Sequence, residues 1–178
     1  TLTRDAGLIA LVPVALRLPW AVFAIPAGIV ADRVDRRRLV IAMDVVRALA
    51  FLAAATALTF RGDVGAAPAQ GVSSVPLFAA LCLCAMAVGI AEVFRDNAAQ
   101  TLLPAIVPDA GLERANARLW TLEALANQMI GPALGAFLIG LWLPLAFGLN
   151  AITYGLAMLL VAGLAGPFKA ERAERRGW

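Results

Sequence analysis

Residues 28–38 read GIVADRVDRRR and form a short charged segment between two long apolar runs, roughly 7–31 and 39–60. A membrane-spanning helix needs about 20 mostly apolar residues, and both runs reach that length. Three more runs of this kind follow, at about 75–103, 116–139 and 141–166. The pattern predicts an all-α polytopic membrane helix bundle with about five transmembrane helices, in which the charged segment is a loop between the first two.

The composition also predicts that the lipid bilayer surrounds this chain. Of its 178 residues, 62% are hydrophobic and 15% are charged, whereas soluble domains carry about 25% charged residues. A soluble fold of this size would expose apolar surface that it cannot bury. The chain is basic, but its cations occur in short stretches between apolar runs and form no continuous basic face, so no nucleic-acid partner is expected.

The sequence contains no pattern typical of an enzyme. It has no histidine and no phosphate-binding GxxxxGK[ST] loop. Cys82 and Cys84 are two residues apart, so on a helix they point to different sides and suit neither a disulfide nor a metal site. We therefore expect no catalytic residue, no metal site and no cofactor.

The basic residues orient the chain, because cytoplasmic loops of membrane proteins are enriched in Lys and Arg. If segment 28–38 is cytoplasmic, loop 62–74 lies outside and tail 169–178 lies inside. The N-terminus then lies outside with no helix to carry it there, so we expect residues 1–178 to be a partial transmembrane domain of a larger protein. Ten basic residues then lie inside and only Arg4 and Arg61 outside; the ten are Arg33, Arg36, Arg37, Arg38, Arg114, Arg118, Lys169, Arg172, Arg175 and Arg176.

Charged residues inside the predicted helices are the first candidates for function, because each costs about 2.5–3.5 kcal/mol on insertion scales. At a rise of about 1.5 Å per residue, all of them except Arg17 fall in the cytoplasmic half, and Glu123 lies roughly 14 Å into its helix. Asp44 with Arg47, and Glu92 with Arg95, are three residues apart and can pair on one helix face. These pairs either only clamp helices together or serve transport of a proton or solute.

Arg17 and Glu123 have no partner on their own helices. They are therefore better candidates for a substrate or proton site than the paired residues are.

One face of the fourth predicted helix carries polar side chains at its inner end and small residues at its outer end. Residues three or four apart share a helix face, and here they are Asn116, Trp120, Glu123, Asn127, Gly131 and Gly135. The GxxxG spacing that encloses Pro132 allows close helix packing. Two interpretations stay open, plain packing or a helix that lines a central path with Asn127 in the site.

Segment 28–38 resembles the signature between helices 2 and 3 of the major facilitator superfamily. The matching residues are Gly28, Asp32, Arg33, Arg36 and Arg37. Asp35 stands where the family usually has a second glycine. The resemblance implies that the five helices are helices 2–6 of a twelve-helix carrier, in its N-terminal half. It also implies a conformational-switch loop, in which Asp32 meets the other half and the basic residues bind acids at helix ends, with Asp96 as the expected partner of Arg36 or Arg37.

Two further stretches resemble exporters within that family. Residues 131–136, GPALGA, are similar to the end of a fifth-helix motif of drug/proton antiporters, and residues 92–118 are similar to the branch of the enterobactin exporter. The resemblance implies a secondary active transporter that exports small molecules across a bacterial inner membrane, coupled to protons. Two alternatives stay open, a membrane scaffold or assembly subunit that transports nothing, and the membrane domain of an ATP-driven pump.

Overall fold

The computed structural model describes residues 2–60 and 68–163, and every regular element in this part of the chain is helical. Five stretches are long and apolar enough to cross a membrane. The all-α membrane bundle predicted from the sequence is confirmed. The helices are α1 Ala6–Arg33, α2 Arg36–Thr59, α3 Val75–Ile106, α4 Asp109–Leu125, α5 Gly131–Leu141 and α6 Leu143–Ala162, and a π-helical turn, Ala126–Ile130, joins α4 to α5.

Helix ends follow local chemistry. The Asp5 carboxylate caps α1 by accepting from the backbone N–H of Gly7 at 2.9 Å, and the Asp35 carboxylate caps α2 by accepting from the N–H of Arg38 at 3.0 Å. Such caps satisfy N–H groups that have no partner within the helix. A proline in the first turn of α3 and of α6 removes a donor that would be unpaired there anyway.

The α3–α4 boundary differs from the sequence prediction, which ended the third run at about 103 and began the fourth at about 116. Helix α3 continues through Pro104 to Ile106, α4 begins at Asp109, and the turn is only Val107 and Pro108. Pro104 lies in the last turn of α3, where its missing N–H removes the helical hydrogen bond to the carbonyl of residue 100. The acidic Asp109 in the first turn of α4 suits the positive end of the helix dipole.

The fourth span is one composite helix of 33 residues, Asp109–Leu141, rather than the predicted 116–139. Its π-helical turn lies directly before Pro132. A proline cannot donate to the carbonyl four residues earlier and its ring clashes with that carbonyl, and the wider π turn accommodates both effects. The N–H of Gly131 instead reaches Ala126. A single extended residue, Trp142, then separates the composite helix from α6, which runs to Ala162; the predicted end at 166 lies outside the described residues.

Four helices pack in the order α1–α3–α2–α6. Only Val34 and Asp35 separate α1 from α2, yet these two helices scarcely touch, because α3 lies between them. Small side chains allow this close packing. At Gly89 of α3, an added Cβ would lie 2.3 Å from the carbonyl oxygen of Leu16 in α1. We call these four helices the packed layer.

The composite helix is arranged differently. Among the described helices it contacts only α3 and α6, the elements that precede and follow it. In its most apolar stretch no residue is buried. Large apolar side chains are exposed on the packed layer as well, among them Ile25, Leu49 and Leu83. In a bilayer such side chains face lipid, which is the environment predicted from the composition.

Candidate functional site

A buried carboxylate in α2 is the centre of the most unusual polar cluster in the described chain. Asp44 is 0% exposed. Its Oδ1 lies 3.4 Å from Nε of Arg95 in α3 and 4.0 Å from Nη1 of Arg47, one turn along α2. Because a charge inside the bilayer is expensive when unpaired, these two guanidinium groups compensate the carboxylate and join α2 to α3.

Arg47 extends the cluster to α6. Its Nη2 donates a hydrogen bond of 2.6 Å to Oη of Tyr154, and its guanidinium carbon lies 4.1 Å from the centre of the Tyr154 ring. Phe51 stacks against the same tyrosine with ring centres 5.6 Å apart. A guanidinium over an aromatic face is attracted by the ring quadrupole. Arg47 of α2 therefore contacts the Asp44 carboxylate on its own helix and the ring and hydroxyl of Tyr154 on α6.

Arg95 does not pair with Glu92, although the two are three residues apart. Its Nη1 donates instead to Asp96 Oδ1 at 3.3 Å, and its Nε faces Asp44. The expected Glu92–Arg95 pair is therefore replaced by an inter-helix pair. Asp44 is fully buried, whereas Glu92 is only half-buried, so the desolvation penalty of Asp44 is the larger. Arg95 is the closest cation to Asp44 and compensates that penalty.

The contacts of Asp44 are ionic rather than hydrogen-bonded. Neither of its oxygens accepts a hydrogen bond from another described residue, and Nε of Arg47 and of Arg95 likewise has no acceptor there. Buried polar atoms are usually hydrogen-bonded in folded proteins. Charge attraction therefore holds Asp44, whereas the two arginines also donate hydrogen bonds through their Nη atoms, to Tyr154 and to Asp96.

The first turn of α2 binds neighbouring helices through its arginines. Arg36 Nη1 donates to the carbonyl of Thr101 in α3 at 3.1 Å. Arg37 Nε donates to the carbonyl of Val161 at 3.1 Å, and its Nη2 donates to that of Ala162, at the end of α6. Cations near helix C-termini are favoured by the helix dipole.

Asp96 is not the partner of Arg36 or Arg37, contrary to the expectation from the resemblance. It pairs with Arg95 on its own helix, and the two loop arginines reach backbone carbonyls instead. Gly28 lies beside the side chain of Asn97, where an added Cβ would lie 3.9 Å from Oδ1. Asp32 and Arg33 are exposed.

The remaining candidates lie apart from the charge cluster. Arg17 is exposed on α1, and Glu123 and Asn127 are exposed on the composite helix. None of these three side chains takes part in an ion pair between described residues. At two of the predicted packing residues on the composite helix no neighbouring helix is close: an added Cβ at Gly135 would have nothing within 4 Å, and one at Gly131 would meet only Ala126 of the same composite helix.

The length of the composite helix bears on the predicted depth of Glu123. The composite helix is roughly 50 Å long at about 1.5 Å per residue, so it exceeds the hydrocarbon core of about 30 Å. If Trp142 marks the outer interface, the roughly 20 residues that cross the hydrocarbon core extend from there back along the helix to residue 122, next to Glu123. Glu123 then lies at the inner edge of the hydrocarbon, while the polar start of α4 extends beyond it.

Sequence reasoning missed Tyr154 and Gly89. Tyr154 is the only tyrosine in the chain and lies within an apolar helix, which was a signal that its hydroxyl needs a polar partner. Gly89 is one of 15 glycines, and only the helix packing distinguishes it from the others. The prediction that loop 62–74 is outside and tail 169–178 inside falls largely on residues outside the described ones.

Comparison with known proteins identifies the family. The family model of the Major Facilitator Superfamily matches residues 2–177. No curated protein and no solved structure gives a significant match. Members of this superfamily are transporters rather than enzymes, and the helical architecture is the one expected for it. With nearly the whole chain matched, this protein belongs to the major facilitator superfamily.

Proposed function

We propose that the chain supplies helices 2–6 of the N-terminal half of a secondary active transporter, which exports small molecules of drug or siderophore type and couples this export to the proton gradient. The observation that supports this proposal is the charge cluster around Asp44, buried among apolar helices. The site of action in this proposal is a bacterial inner membrane.

Stability alone does not explain such a cluster. Each charge in the hydrocarbon costs about 2.5–3.5 kcal/mol, and replacing a buried ion pair by apolar residues is often neutral or stabilising by about 1–4 kcal/mol. Membrane-buried ionisable residues mark ion or proton pathways by default. A cluster that contains Asp44, two arginines and further carboxylates therefore supports coupled transport better than it supports a static scaffold.

The switch loop fits a carrier that alternates between two states. Arg36 and Arg37 hold the inner ends of α3 and α6 through carbonyl contacts. Both contacts are partly buried, and a cation at a helix C-terminus is then worth up to about 2 kcal/mol, which a change of state can still break. Asp32 is exposed beside them and free to meet the other half of the carrier in one state.

The substrate path in this proposal includes Arg17, Glu123 and Asn127. All three are polar, exposed and on helices otherwise suited to lipid. Sites of secondary carriers lie near the bilayer midplane, between the two halves, and an exposed face on this half is available to form one. The similarity of segment 131–136 to antiporters supports export in exchange for protons. Neither a scaffold nor an ATP-driven pump is favoured by a specific observation.

Transport by the full carrier tests this proposal. Everted membrane vesicles that contain the carrier should accumulate ethidium when a proton gradient is imposed, and a protonophore should abolish accumulation. Vesicles with residues 1–178 alone are the control and should accumulate none, since a carrier site needs both halves. Accumulation that a protonophore leaves unchanged would contradict proton coupling, and accumulation by residues 1–178 alone would contradict the two-half site.

A further inference from the structure

An open cavity lies where α1 ends and α2 begins. Its volume is about 570 Å³, and its lining residues are Arg33, Val34, Asp35, Arg38 and Leu39. Because α3 separates α1 from α2, these two helices scarcely touch, which leaves room beside the short turn that joins them. None of the lining residues takes part in an ion pair of the charge cluster, so the cavity is a separate feature of the packed layer.

The four arginines next to the cavity divide into two pairs. Arg36 and Arg37 are half-buried and donate to backbone carbonyls of α3 and α6. Arg33 and Arg38 are exposed and line the cavity, and neither side chain enters the ion pairs or side-chain hydrogen bonds between described residues. Helix packing therefore uses the first pair and leaves the second pair available to a ligand.

The charges of the lining define the charge of that ligand. Asp35 is the acid of the lining, and its carboxylate already caps α2 by accepting from the N–H of Arg38 at 3.0 Å. Two guanidinium groups and one carboxylate leave the cavity with one net positive charge. A phosphodiester carries one negative charge, and guanidinium groups bind phosphate oxygens through paired N–H donors. The lining therefore suits a single phosphodiester group.

An apolar row leads from Arg33 along α1 towards the middle of the membrane. Ile29 and Ile25 precede Arg33 by four and eight residues, so the three share a helix face, and the isoleucines are 48% and 79% exposed. Helix α1 has 28 residues. It is therefore about 42 Å long, more than the hydrocarbon core of about 30 Å, and its charged end reaches the headgroup region. Anionic group at that level and apolar chain below it is the build of a phospholipid.

We propose that this cavity binds an anionic phospholipid of the phosphatidylglycerol class. Its phosphodiester lies between the guanidinium groups of Arg33 and Arg38, and an acyl chain lies along Ile29 and Ile25. Basic pockets between membrane helices are known to bind lipid headgroups in this way. The inference goes beyond the proposed function, because the site lies outside the substrate path and requires neither export nor proton coupling.

Native mass spectrometry of the full carrier in detergent, titrated with phosphatidylglycerol, tests the site. The double change Arg33→Gln with Arg38→Gln should weaken the tightest binding at least about tenfold, since two cations at the headgroup level are lost. The matched control is Arg114→Gln with Arg118→Gln, which removes the same charge from exposed positions on α4. It should keep the wild-type affinity.

A gain of affinity is expected from Asp35→Asn. Asparagine caps a helix as well as aspartate does, so α2 should stay intact. The cavity loses its negative charge, and phosphatidylglycerol should therefore bind more tightly than to the wild type. A misfolded variant cannot produce this result.

The inference would be overturned by wild-type affinity in the double glutamine variant, by an equal loss in the control, or by unchanged binding in Asp35→Asn. Loss of folded protein in the double glutamine variant would also contradict it, because these exposed arginines contribute no packing contact. Two further arms address the ligand. Phosphatidylcholine, whose choline cancels the phosphate charge, should bind more weakly. Inorganic phosphate should displace the lipid no better than chloride at the same ionic strength, and stronger displacement would assign the cavity to a soluble anion instead.

Discussion

The packed layer and the composite helix both carry acids within membrane spans, but the surroundings of these acids differ. In the packed layer Asp44 is fully buried and lies within 4.0 Å of two guanidinium groups. On the composite helix Glu123 is exposed and takes part in no ion pair between described residues. The two acids thus differ in their neighbours: arginines of two helices compensate Asp44, whereas Glu123 has no cation partner in the described part of the chain.

The comparison predicts its largest effect at Asp44. Asp44→Asn should destabilise the full carrier by about 3–5 kcal/mol, because it leaves Arg47, whose side chain is 11% exposed, without its anionic partner among the described residues. Thermal unfolding in detergent measures this loss. The double change Asp44→Asn with Arg95→Gln should cost less than the sum of the single changes, and additive effects would show that the pair is not coupled.

A smaller loss of stability is expected at the link to α6. Tyr154→Phe keeps the ring under Arg47 and removes the hydroxyl that accepts its hydrogen bond at 2.6 Å. Hydrogen bonds to charged groups are worth about 1.5–3 kcal/mol, so unfolding should become easier by that amount. An unfolding temperature equal to that of the wild type would mean that the ring contact alone holds Arg47.

Substituting one glycine in each region compares how tightly the packed layer and the composite helix are packed. Gly89→Ala places a Cβ 2.3 Å from the Leu16 carbonyl oxygen, whereas Gly135→Ala on the composite helix adds a Cβ with nothing within 4 Å. Overpacking costs about 1–3 kcal/mol, so Gly89→Ala should lower the unfolding temperature and Gly135→Ala should not. Equal losses in the two variants would show that the composite helix also packs tightly in the full carrier.

The smallest change in stability is expected at Glu123. Glu123→Gln should leave the free energy of unfolding within about 0.5 kcal/mol of the wild type, as exposed substitutions do. Ethidium accumulation should nevertheless fall if Glu123 belongs to the substrate path. Unchanged accumulation with unchanged pH dependence would remove Glu123 from that path.

Hydropathy predicted the five spans because the need for about 20 apolar residues acts within each segment. It also placed Asp44 and Arg95 in one layer, since helix rise converts residue number into depth. Contacts between helices were not accessible in this way. The order α1–α3–α2–α6 depends on close packing at positions such as Gly89, which local pattern does not distinguish from other glycines.

The sequence predicted which charged residues belong to the candidate site, but not which of them pair with each other. The spacing of Glu92 and Arg95 favoured a pair on one helix, but tertiary contact with a fully buried acid prevailed. The π-helical turn was missed for a related reason. Pro132 was interpreted as a packing residue, whereas its missing donor changes the hydrogen bonding of the turn before it.

The position of α3 between α1 and α2 has a consequence for synthesis of the chain. A ribosome completes α2 before α3 exists, so Asp44 enters the membrane without Arg95, and Arg47 is the cation of its own helix that accompanies it. At about 5–20 residues per second α3 follows within seconds. Because α3 separates α1 from α2 in the folded chain, these two helices cannot reach their final packing until α3 inserts.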